Sequence, residues 1–374
     1  MSVSDRDTFF MRRALELAEY GRGWVSPNPM VGAVVVREER IVGEGFHERL
    51  GEAHAEPNAL RQAGEAARGA TLYVTLEPCC HQGRTPPCTD AVLVAGIARV
   101  VVAMTDPDRR VAGKGITALL DAGIVVETGV MEEEARRLNR VYIYHRQTGL
   151  PFTTLKWAQT LDGRVATRTG HSKWITGETA RHRAHRMRSQ SDAVLVGVGT
   201  VLADDPQLTV REVEGRQPRR IVLDSLGRTP PHARVLDDAT PTIVCVTDAA
   251  PQANLTALRD AGAEILVLPA GQKGKIDLSA LKRTLGGLPF PITALLVEGG
   301  PQVITAFLDA GEADRIACFI APIVMGVGLD AVGDLQILQL PDAIRLCDVA
   351  VETIAPDTLV MGEIEGARHV YRHR

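Results

Sequence analysis

The chain has 374 residues, which is more than one compact domain usually holds, so two domains are expected. Its hydrophobic share of 45% and its charged share of 24% are those of an ordinary globular protein. With a net charge of −4, the chain has no global basic field that would attract nucleic acid or anionic lipid.

The N-terminal stretch MSVSDRDTFF is polar and lacks the apolar core of a signal peptide. No run approaches the ~18 apolar residues of a membrane span. The six cysteines are sparse and three of them lie within ten positions, which is not the distribution of a disulfide scaffold. We therefore expect a cytoplasmic protein with reduced thiols and with neither a membrane nor a nucleic-acid partner.

The first part of the chain predicts alternating helices and strands. Phe10, Ala14 and Leu17 form one helical stripe, and runs such as VGAVVV and TLYVTL are typical of buried strands. Helices are predicted over 7–20, from His54, over 88–96, over 113–122 and over 132–140, and strands over 31–36, 41–46, 71–76, 99–104 and 123–128. This alternation predicts an α/β domain that ends near the boundary segment 144–152.

The remainder predicts a second α/β domain, with strands over 192–199, 219–225, 242–247 and 292–300 and mixed strands after 314. No G-x-G-x-x-G follows a strand, so a Rossmann fold has no support. LLVEGGPQVITAF (295–307) predicts a strand, a Gly-Gly turn and a helix, whose backbone N–H groups could bind a phosphate; a plain tight turn is the alternative. RHRAHRMR (181–188) is either a solvated helix face or a source of phosphate ligands.

A candidate metal site lies in EPCCHQGRTPPC (77–88), which follows HAEPNAL with His54 two residues before Glu56. His-x-Glu followed by Pro-Cys and a second cysteine is the arrangement of zinc deaminases that act on amino-pyrimidines and related bases. One imidazole and two thiolates would hold zinc and leave a fourth position for a water, whose pKa the metal lowers to about 7. A carboxylate beside that water would move protons.

The signature identifies the second cysteine ligand less directly than the first. The short form of the signature places it three residues after the first, where this chain has Gln82, so the next candidate is Cys88, nine residues after Cys79. A closed structural zinc site could use the same residues, and the adjacent Cys80 could replace a ligand. Glu56 favours the catalytic interpretation, because a structural site needs no free carboxylate.

NPMVGAVVV, HAEPNAL, TLEPCCHQGRTPPC and DPDRRVAGKGI together resemble the deaminase half of the bifunctional riboflavin-biosynthesis deaminase/reductases. The resemblance implies a cytidine-deaminase-like three-layer α/β/α domain over 1–147. It implies one Zn2+ per chain on His54, Cys79 and Cys88, with Glu56 as the proton shuttle.

The same resemblance implies a set of substrate contacts. They are Asn28 on the pyrimidine edge, His81, Arg84 and Thr85 at the phosphate end, and Asp106 in the DPD stretch. The chain departs from the family at Cys80, where serine is common, and at Asp108, where asparagine is common. We interpret Cys80 as a packed thiol.

LKWAQTLDGRVA, SKWITG, RSQSDAVLVGVGTVLADDPQLTVR, RIVLDS and VEGGP resemble the reductase half of the same family, which implies a dihydrofolate-reductase-like α/β domain over 151–374. The implied NADPH contacts are Ala158, Trp174, Thr200, Asp204, Ser225, Gly300, Pro301, Gln302 and Val303. The implied substrate contacts are Ser172, Arg188, Leu208, Arg211 and Glu298, with the arginines on a phosphate. Lys156 and Asp204 are candidates for an acid catalyst.

The leading hypothesis is an enzyme of two steps. The first is hydrolytic deamination of a diaminopyrimidinone that carries a ribosylamino phosphate, and the second is NADPH-dependent reduction of its ribose to a ribityl chain. A nucleic-acid base deaminase is an alternative, against which the acidic charge and the missing short cysteine spacing stand. A non-catalytic zinc module fused to a nucleotide-binding domain is another, and Glu56 argues against it. The family likeness also implies a homo-oligomer, a dimer or a tetramer.

Overall fold

The computed structural model describes residues 5–83 and 86–367, and it divides the chain into two compact units, one ending at Gly149 and the other beginning at Leu150. Arg84 and Thr85, both predicted at the phosphate end of a substrate, lie outside the described residues. Across the described ranges, no helix has the length and apolar character needed to cross a bilayer.

The first unit is a five-stranded sheet with helices. Its helices are α1 (Asp5–Glu19), α2 (Ala55–Ala63), α3 (Cys88–Ala95), α4 (Lys114–Asp121), α5 (Glu132–Leu138) and α6 (Arg140–Thr148). Its strands are β1 (Gly32–Arg37), β2 (Arg40–Phe46), β3 (Thr71–Val74), β4 (Arg99–Val102) and β5 (Val125–Thr128). The strand order is β2-β1-β3-β4-β5, antiparallel at β2-β1-β3 and parallel at β3-β4-β5. The predicted alternation is confirmed, with the ends of several elements shifted by a few residues.

Helix α2 lies unusually close to β2 because that strand carries two glycines. A Cβ at Gly43 would lie 2.2 Å from the carbonyl oxygen of Ala59, and one at Gly45 would lie 2.5 Å from that of Ala55. Any larger residue would push the helix away from the strand. The start of α2 is thereby fixed against the sheet, and this start carries His54 and Glu56.

The second unit is built on a nine-stranded sheet. Its helices are α7 (Glu178–Ser189), α8 (Val198–Asp204), α9 (Gln252–Asp260), α10 (Leu278–Gly286) and α11 (Pro301–Asp309). Its strands are β6 (Phe152–Thr160), β7 (Arg164–Thr167), β8 (Ala193–Gly197), β9 (Arg219–Leu223), β10 (Thr242–Val246), β11 (Glu264–Val267), β12 (Ala294–Val297), β13 (Arg315–Ala321), β14 (Gly328–Asp330), β15 (Leu346–Ile354) and β16 (Asp357–Ile364).

The large sheet has the order β11-β10-β9-β8-β12-β6-β13-β16-β15, and β7 pairs with β14 separately. The strands from β11 to β13 are parallel, and β13-β16-β15 are antiparallel. Central strands β8 and β10 are buried along their whole length, which explains their continuous apolar runs.

The carboxyl ends of β8 and β12 approach each other closely. A Cβ at Gly299 would lie 2.5 Å from Val196 Cα, and one at Gly197 would lie 2.6 Å from a methyl carbon of Val303. The predicted strand, Gly-Gly turn and helix at 295–307 is confirmed as β12 followed by α11. The prediction of a strand as far as residue 199 was wrong, because β8 ends at Gly197 and α8 begins at Val198.

Candidate functional site

In the first unit, His54, Cys79 and Cys88 come together from three places in the chain. One ligand atom from each lies within 4.8 Å of the others. His54 Nδ1 is 3.2 Å from Cys88 Sγ and 3.7 Å from Cys79 Sγ. One imidazole and two thiols at such separations are a donor set that fits a tetrahedral Zn2+ with one position left open.

Local structure places each of the three side chains. His54 is the N-cap of α2, and Cys88 is the first residue of α3. Cys79 follows β3 and is held against α3, because the Cys88 N–H lies 3.4 Å from Cys79 Sγ and the Thr89 N–H donates to the Cys79 carbonyl. Free N–H groups at helix starts favour a thiolate.

Hydrogen bonding within the group separates the two thiols. The hydrogen bond from Cys88, with that from His54, lowers the pKa of Cys79 to about 4, although burial opposes it. The same contact with Cys79, together with burial, raises the pKa of Cys88. His54 has a raised pKa because it hydrogen-bonds Cys79. The group therefore holds protons that a metal would displace on binding.

Glu56 lies in the first turn of α2 and is 3% exposed. Burial, with the negative charge of Cys79, raises the pKa of its carboxyl to about 7. A carboxyl that can hold or release a proton near neutral pH is suited to general acid and base work. The structure thus brings Glu56 to the three potential ligands.

Asn28 is also close to this group, through a histidine that the sequence did not single out. Its side-chain nitrogen is 3.4 Å from Nε2 of His47, and the His47 ring meets the His54 ring edge-on with centroids 5.1 Å apart. His47 is 3% exposed and its Nδ1 lies 3.2 Å from the Ala53 carbonyl oxygen. A lone histidine in a loop after β2 carries no spacing signal, so nothing in the sequence marks it as part of the site.

Asp106 is 7% exposed and lies in the loop after β4. Its Oδ1 accepts hydrogen bonds from the Asp108 N–H and the Tyr142 hydroxyl. Burial raises the pKa of Asp106 to about 6. Asp108 is instead paired with Arg110, which lowers its pKa to about 2.

Of the residues predicted at the phosphate end, the structure describes His81, which follows Cys80, the residue interpreted as a packed thiol. Both side chains are half-buried. His81 Nδ1 is buried and has no hydrogen-bond partner among the described residues. Cys80 is not part of the group formed by His54, Cys79 and Cys88.

In the second unit, most predicted NADPH contacts lie at the carboxyl edge of the parallel strands. Ala158 lies within β6, Thr200 and Asp204 lie on α8 after β8, Ser225 follows β9, Gly300 is the N-cap of α11, and Pro301, Gln302 and Val303 form its first turn. Trp174 lies before α7, is 67% exposed and stacks on the Arg181 guanidinium at 4.5 Å. The strands β6, β12, β8 and β9 are neighbours, so these residues, Trp174 apart, line one edge of the sheet.

Two of the predicted substrate residues are bound to each other. Arg188 on α7 donates to both carboxylate oxygens of Glu298, at 2.6 and 2.8 Å, and to the Thr209 carbonyl. Lys156 Nζ lies 3.6 Å from the same carboxylate. Burial opposes ionisation of Glu298, but the charges of Arg188 and Lys156 hold its pKa at about 2. Burial lowers the pKa of Lys156.

The other predicted substrate residues, Arg211, Leu208 and Ser172, lie in loops. Arg211 is exposed, and its backbone N–H lies 3.4 Å from Nδ1 of the buried His185. Leu208 is buried with φ +57° in the loop after α8, and Ser172 lies in the loop after β7. Because the Arg188 guanidinium is already hydrogen-bonded to Glu298, the Arg211 guanidinium is the more available of the two predicted phosphate ligands.

Two protein-family descriptions match the chain. The "RibD C-terminal domain" matches residues 151–360, and the "cytidine and deoxycytidylate deaminase zinc-binding region" matches residues 4–104. Curated relatives match over almost their full length. The chain is 48% identical to the riboflavin biosynthesis protein RibD of Aquifex aeolicus (96% of this chain, 98% of the relative) and 43% identical to that of Escherichia coli (94% and 98%).

Solved structures match as closely. RibD of Acinetobacter baumannii has a TM-score of 0.87 at 38% identity, covering 96% of this chain and 99% of that one. A Thermotoga maritima protein described as a diaminohydroxyphosphoribosylaminopyrimidine deaminase/5-amino-6-(5-phosphoribosylamino)uracil reductase has a TM-score of 0.82 at 38% identity, with the same coverage. The expected folds are confirmed: a cytidine-deaminase-like first unit and a dihydrofolate-reductase-like second unit.

Proposed function

The chain belongs to the RibD family of riboflavin biosynthesis proteins, and from this premise we propose that its two units catalyse the two consecutive steps expected from the sequence. It is a bifunctional enzyme, a deaminase joined to a reductase. The first unit would remove the amino group of a diaminopyrimidinone ribosylamino phosphate, and the second would reduce the ribose with NADPH.

The buried carboxyl of Glu56 beside His54, Cys79 and Cys88 is the observation that carries the deaminase proposal. These three residues would hold one Zn2+, which when bound supplies a Lewis acid that makes water nucleophilic at neutral pH. Glu56 would pass one proton from the water to the ring nitrogen, and then a second proton, from the hydroxyl added to the ring carbon, to the amino group that leaves as ammonia. Asn28 and Asp106 would hold the pyrimidine: the Asn28 amide lies beside His47, whose ring meets that of His54, and the Asp106 N–H donates to Glu77, two residues before Cys79.

In the second unit, NADPH would supply the hydride. The first turn of α11 and the residues after β8 and β9 would hold the cofactor. Glu298, fixed by Arg188, would position the substrate, and Arg211 would reach its phosphate. Lys156, whose Nζ lies 3.6 Å from Glu298, and Asp204 stay the candidates for the acid.

The proposal is tested by following ammonia release and NADPH oxidation separately on the diaminopyrimidinone phosphate. Glu56→Gln should abolish ammonia release, while NADPH oxidation on pre-deaminated substrate continues. Glu52→Gln changes an exposed carboxylate nearby and is the matched control. If Glu56→Gln kept both activities, the assignment of the hydrolytic site would be wrong.

Zinc content tests the ligand set independently of activity. Cys88→Ser should lose the metal and Cys80→Ser should retain about one Zn2+ per chain, since a site of this type needs two thiolates and one imidazole. The opposite pattern in a metal assay would overturn the choice of Cys88.

We also propose that the protein is a homo-oligomer, joined through the surface of the second unit between residues 323 and 351. This surface carries several exposed apolar side chains, among them Leu338 (92% exposed) and Leu340 (81%). Strand β15 lies at the edge of the large sheet, and residues 348–353 are exposed. A second copy could pair with this edge and cover the apolar side chains. Sedimentation of Leu338→Ser should show a smaller species than the wild type, with Phe290→Ser, exposed elsewhere, as the control.

The cytoplasmic location and the absence of a nucleic-acid partner stay predictions from the sequence. A titration of the protein with single-stranded DNA or RNA at low salt tests the second of them, since unspecific binding is strongest there.

A further inference from the structure

Glu77 is a buried carboxylate that the proposed chemistry does not use. It is 3% exposed and lies two residues before Cys79. Four backbone N–H groups donate to it. Asp106 (3.1 Å) and Gly113 (2.9 Å) donate to one oxygen, and Gly115 (2.9 Å) and Ile116 (3.2 Å) donate to the other. A single side chain thus binds the whole loop from the end of β4 to the start of α4.

Three of the four contacts, those from Gly113, Gly115 and Ile116, replace a cap that α4 lacks. Its N-cap is Gly113 in the left-handed region (φ +85°), which has no side chain to offer, and its first turn contains no acidic residue. The free N–H groups of a helix start attract a carboxylate. Glu77 provides that carboxylate from a part of the chain 36 residues away from Gly113.

The loop also approaches the chain around Glu77 more closely than a side chain would allow. A Cβ at Gly115 would lie 2.1 Å from the Pro78 carbonyl oxygen and 3.2 Å from Glu77 Oε1. The Glu77 N–H in turn donates to the Met104 carbonyl at 3.0 Å. The stretch 77–79 and the loop after β4 are therefore bound to each other by both backbone and side chain.

This contact joins two parts of the proposed deaminase site. Cys79, at one end of the stretch, is a potential metal ligand. Asp106, whose N–H is bound by Glu77, is a proposed substrate contact and is oriented from its other side by the Tyr142 hydroxyl. Asp106 Oδ1 accepts hydrogen bonds from the Asp108 N–H and from the Tyr142 hydroxyl, and Asp106 Oδ2 has no hydrogen bond among the described residues.

We propose that Glu77 is a positioning residue of the deaminase: its carboxylate fixes the loop 105–116 against the stretch that carries Cys79, so that Asp106 meets the pyrimidine substrate at a set distance from the metal group. This inference rests on the proposed function. It assigns Glu77 to substrate binding through Asp106, and not to proton transfer or metal binding.

Glu77→Gln is the direct test. The amide keeps the shape of the side chain, but its NH2 group faces two N–H donors, so two of the four hydrogen bonds are lost. We expect KM for deamination to rise by about tenfold and kcat to change by less than about threefold, because substrate binding is weakened and the chemical step is retained. Zinc content and NADPH oxidation on pre-deaminated substrate should equal those of the wild type.

Two further variants separate positioning from loss of stability. Glu77→Asp keeps the charge but is one methylene shorter, so it should give an intermediate KM even if Glu77→Gln fails to fold. Asp7→Asn weakens a buried ion pair with Arg99 in the same unit, away from the loop, and should lower stability without changing KM. Combining Glu77→Gln with Asp106→Asn should raise KM by less than the product of the two single effects.

An unchanged KM in folded Glu77→Gln or Glu77→Asp would overturn the inference. So would an equal rise in KM for Asp7→Asn, or a loss of zinc that accompanies a fall in kcat. These outcomes are distinct from a failure of the proposed function. If the wild type releases no ammonia from the diaminopyrimidinone phosphate, the proposed function has failed, whereas normal release with an unchanged variant KM removes only the role of Glu77.

Discussion

Glu298→Gln should strongly destabilise the second unit. The carboxylate is 7% exposed at its side chain and is bound by Arg188 through two hydrogen bonds, with Lys156 at 3.6 Å. Replacing it by an amide leaves two largely buried cations, with side chains 15% and 13% exposed, without a counter-charge. Breaking a buried pair in this way costs about 3–5 kcal/mol, because the remaining charge stays desolvated.

The pKa of Glu298 gives an independent magnitude. Its value in the folded protein is about 2, against an ordinary value of 4.5. Since one pKa unit corresponds to about 1.36 kcal/mol, the ionised carboxylate contributes about 3 kcal/mol to the free energy of unfolding at neutral pH. A lowered pKa means that this contribution is fully present above pH 4.5 and is lost as the pH falls toward about 2.

Urea denaturation of the wild type and of Glu298→Gln between pH 2 and pH 7 checks both magnitudes. The difference in free energy of unfolding should be ~3 kcal/mol or more at pH 7 and should shrink below pH 4.5. Glu264→Gln removes a largely exposed partner of Arg219 in the same unit and should cost at most about 1 kcal/mol. A loss below about 1 kcal/mol for Glu298→Gln, or a loss that does not depend on pH, would refute the reasoning.

Three other changes follow from the structure. Gly299→Ala should destabilise the second unit by about 1–3 kcal/mol, because its Cβ would collide with Val196, whereas Gly199→Ala, which meets open space, should be neutral or slightly stabilising in the same denaturation assay. Asn139→Ala should lower the melting temperature of the first unit, because the Asn139 amide is the hydrogen-bond partner of both the N–H and the carbonyl of Met30. Each buried group left unpaired costs about 1–3 kcal/mol. An unchanged melting temperature would contradict this. Zinc chelation should stop ammonia release and leave NADPH oxidation on pre-deaminated substrate intact, and a parallel loss of both activities would argue against two independent sites.

The sequence predicted those parts of the deaminase site that lie close together in the chain. His54 and Glu56 are two residues apart, and Cys79 and Cys88 bracket one short stretch, so residue type and spacing alone pointed to them. His47, Glu77 and Tyr142 carry no such signal. His47 contacts Asn28, 19 residues away, and Glu77 and Tyr142 each contact a residue 36 positions away, so only the fold shows which partner each one meets.

The positive run 181–188 shows a second limit of sequence reasoning. Each of the two interpretations of this run, a solvated helix face or a set of phosphate ligands, gives all of its charges the same role. In α7 the charges have several roles: Arg188 is bonded to Glu298, Arg181 stacks on Trp174, and Arg183 lies 3.4 Å from Glu352. Helical periodicity turns consecutive residues to different sides, so a run of like charges has no single environment.

Glu77 and Glu298 show how buried carboxylates can serve a site without reacting. Each follows a strand of its unit, β3 or β12; Glu77 is 3% exposed, and the Glu298 side chain is 7% exposed. Glu77 is neutralised by N–H groups at the start of a helix, and Glu298 by two cations. Because burying an unpaired charge is costly, each carboxylate and its partners stabilise one another's positions. Substitution by the neutral amide should therefore displace the partner groups more than the substituted side chain itself. For this reason KM for deamination is the informative measurement for Glu77, and the free energy of unfolding is the informative measurement for Glu298.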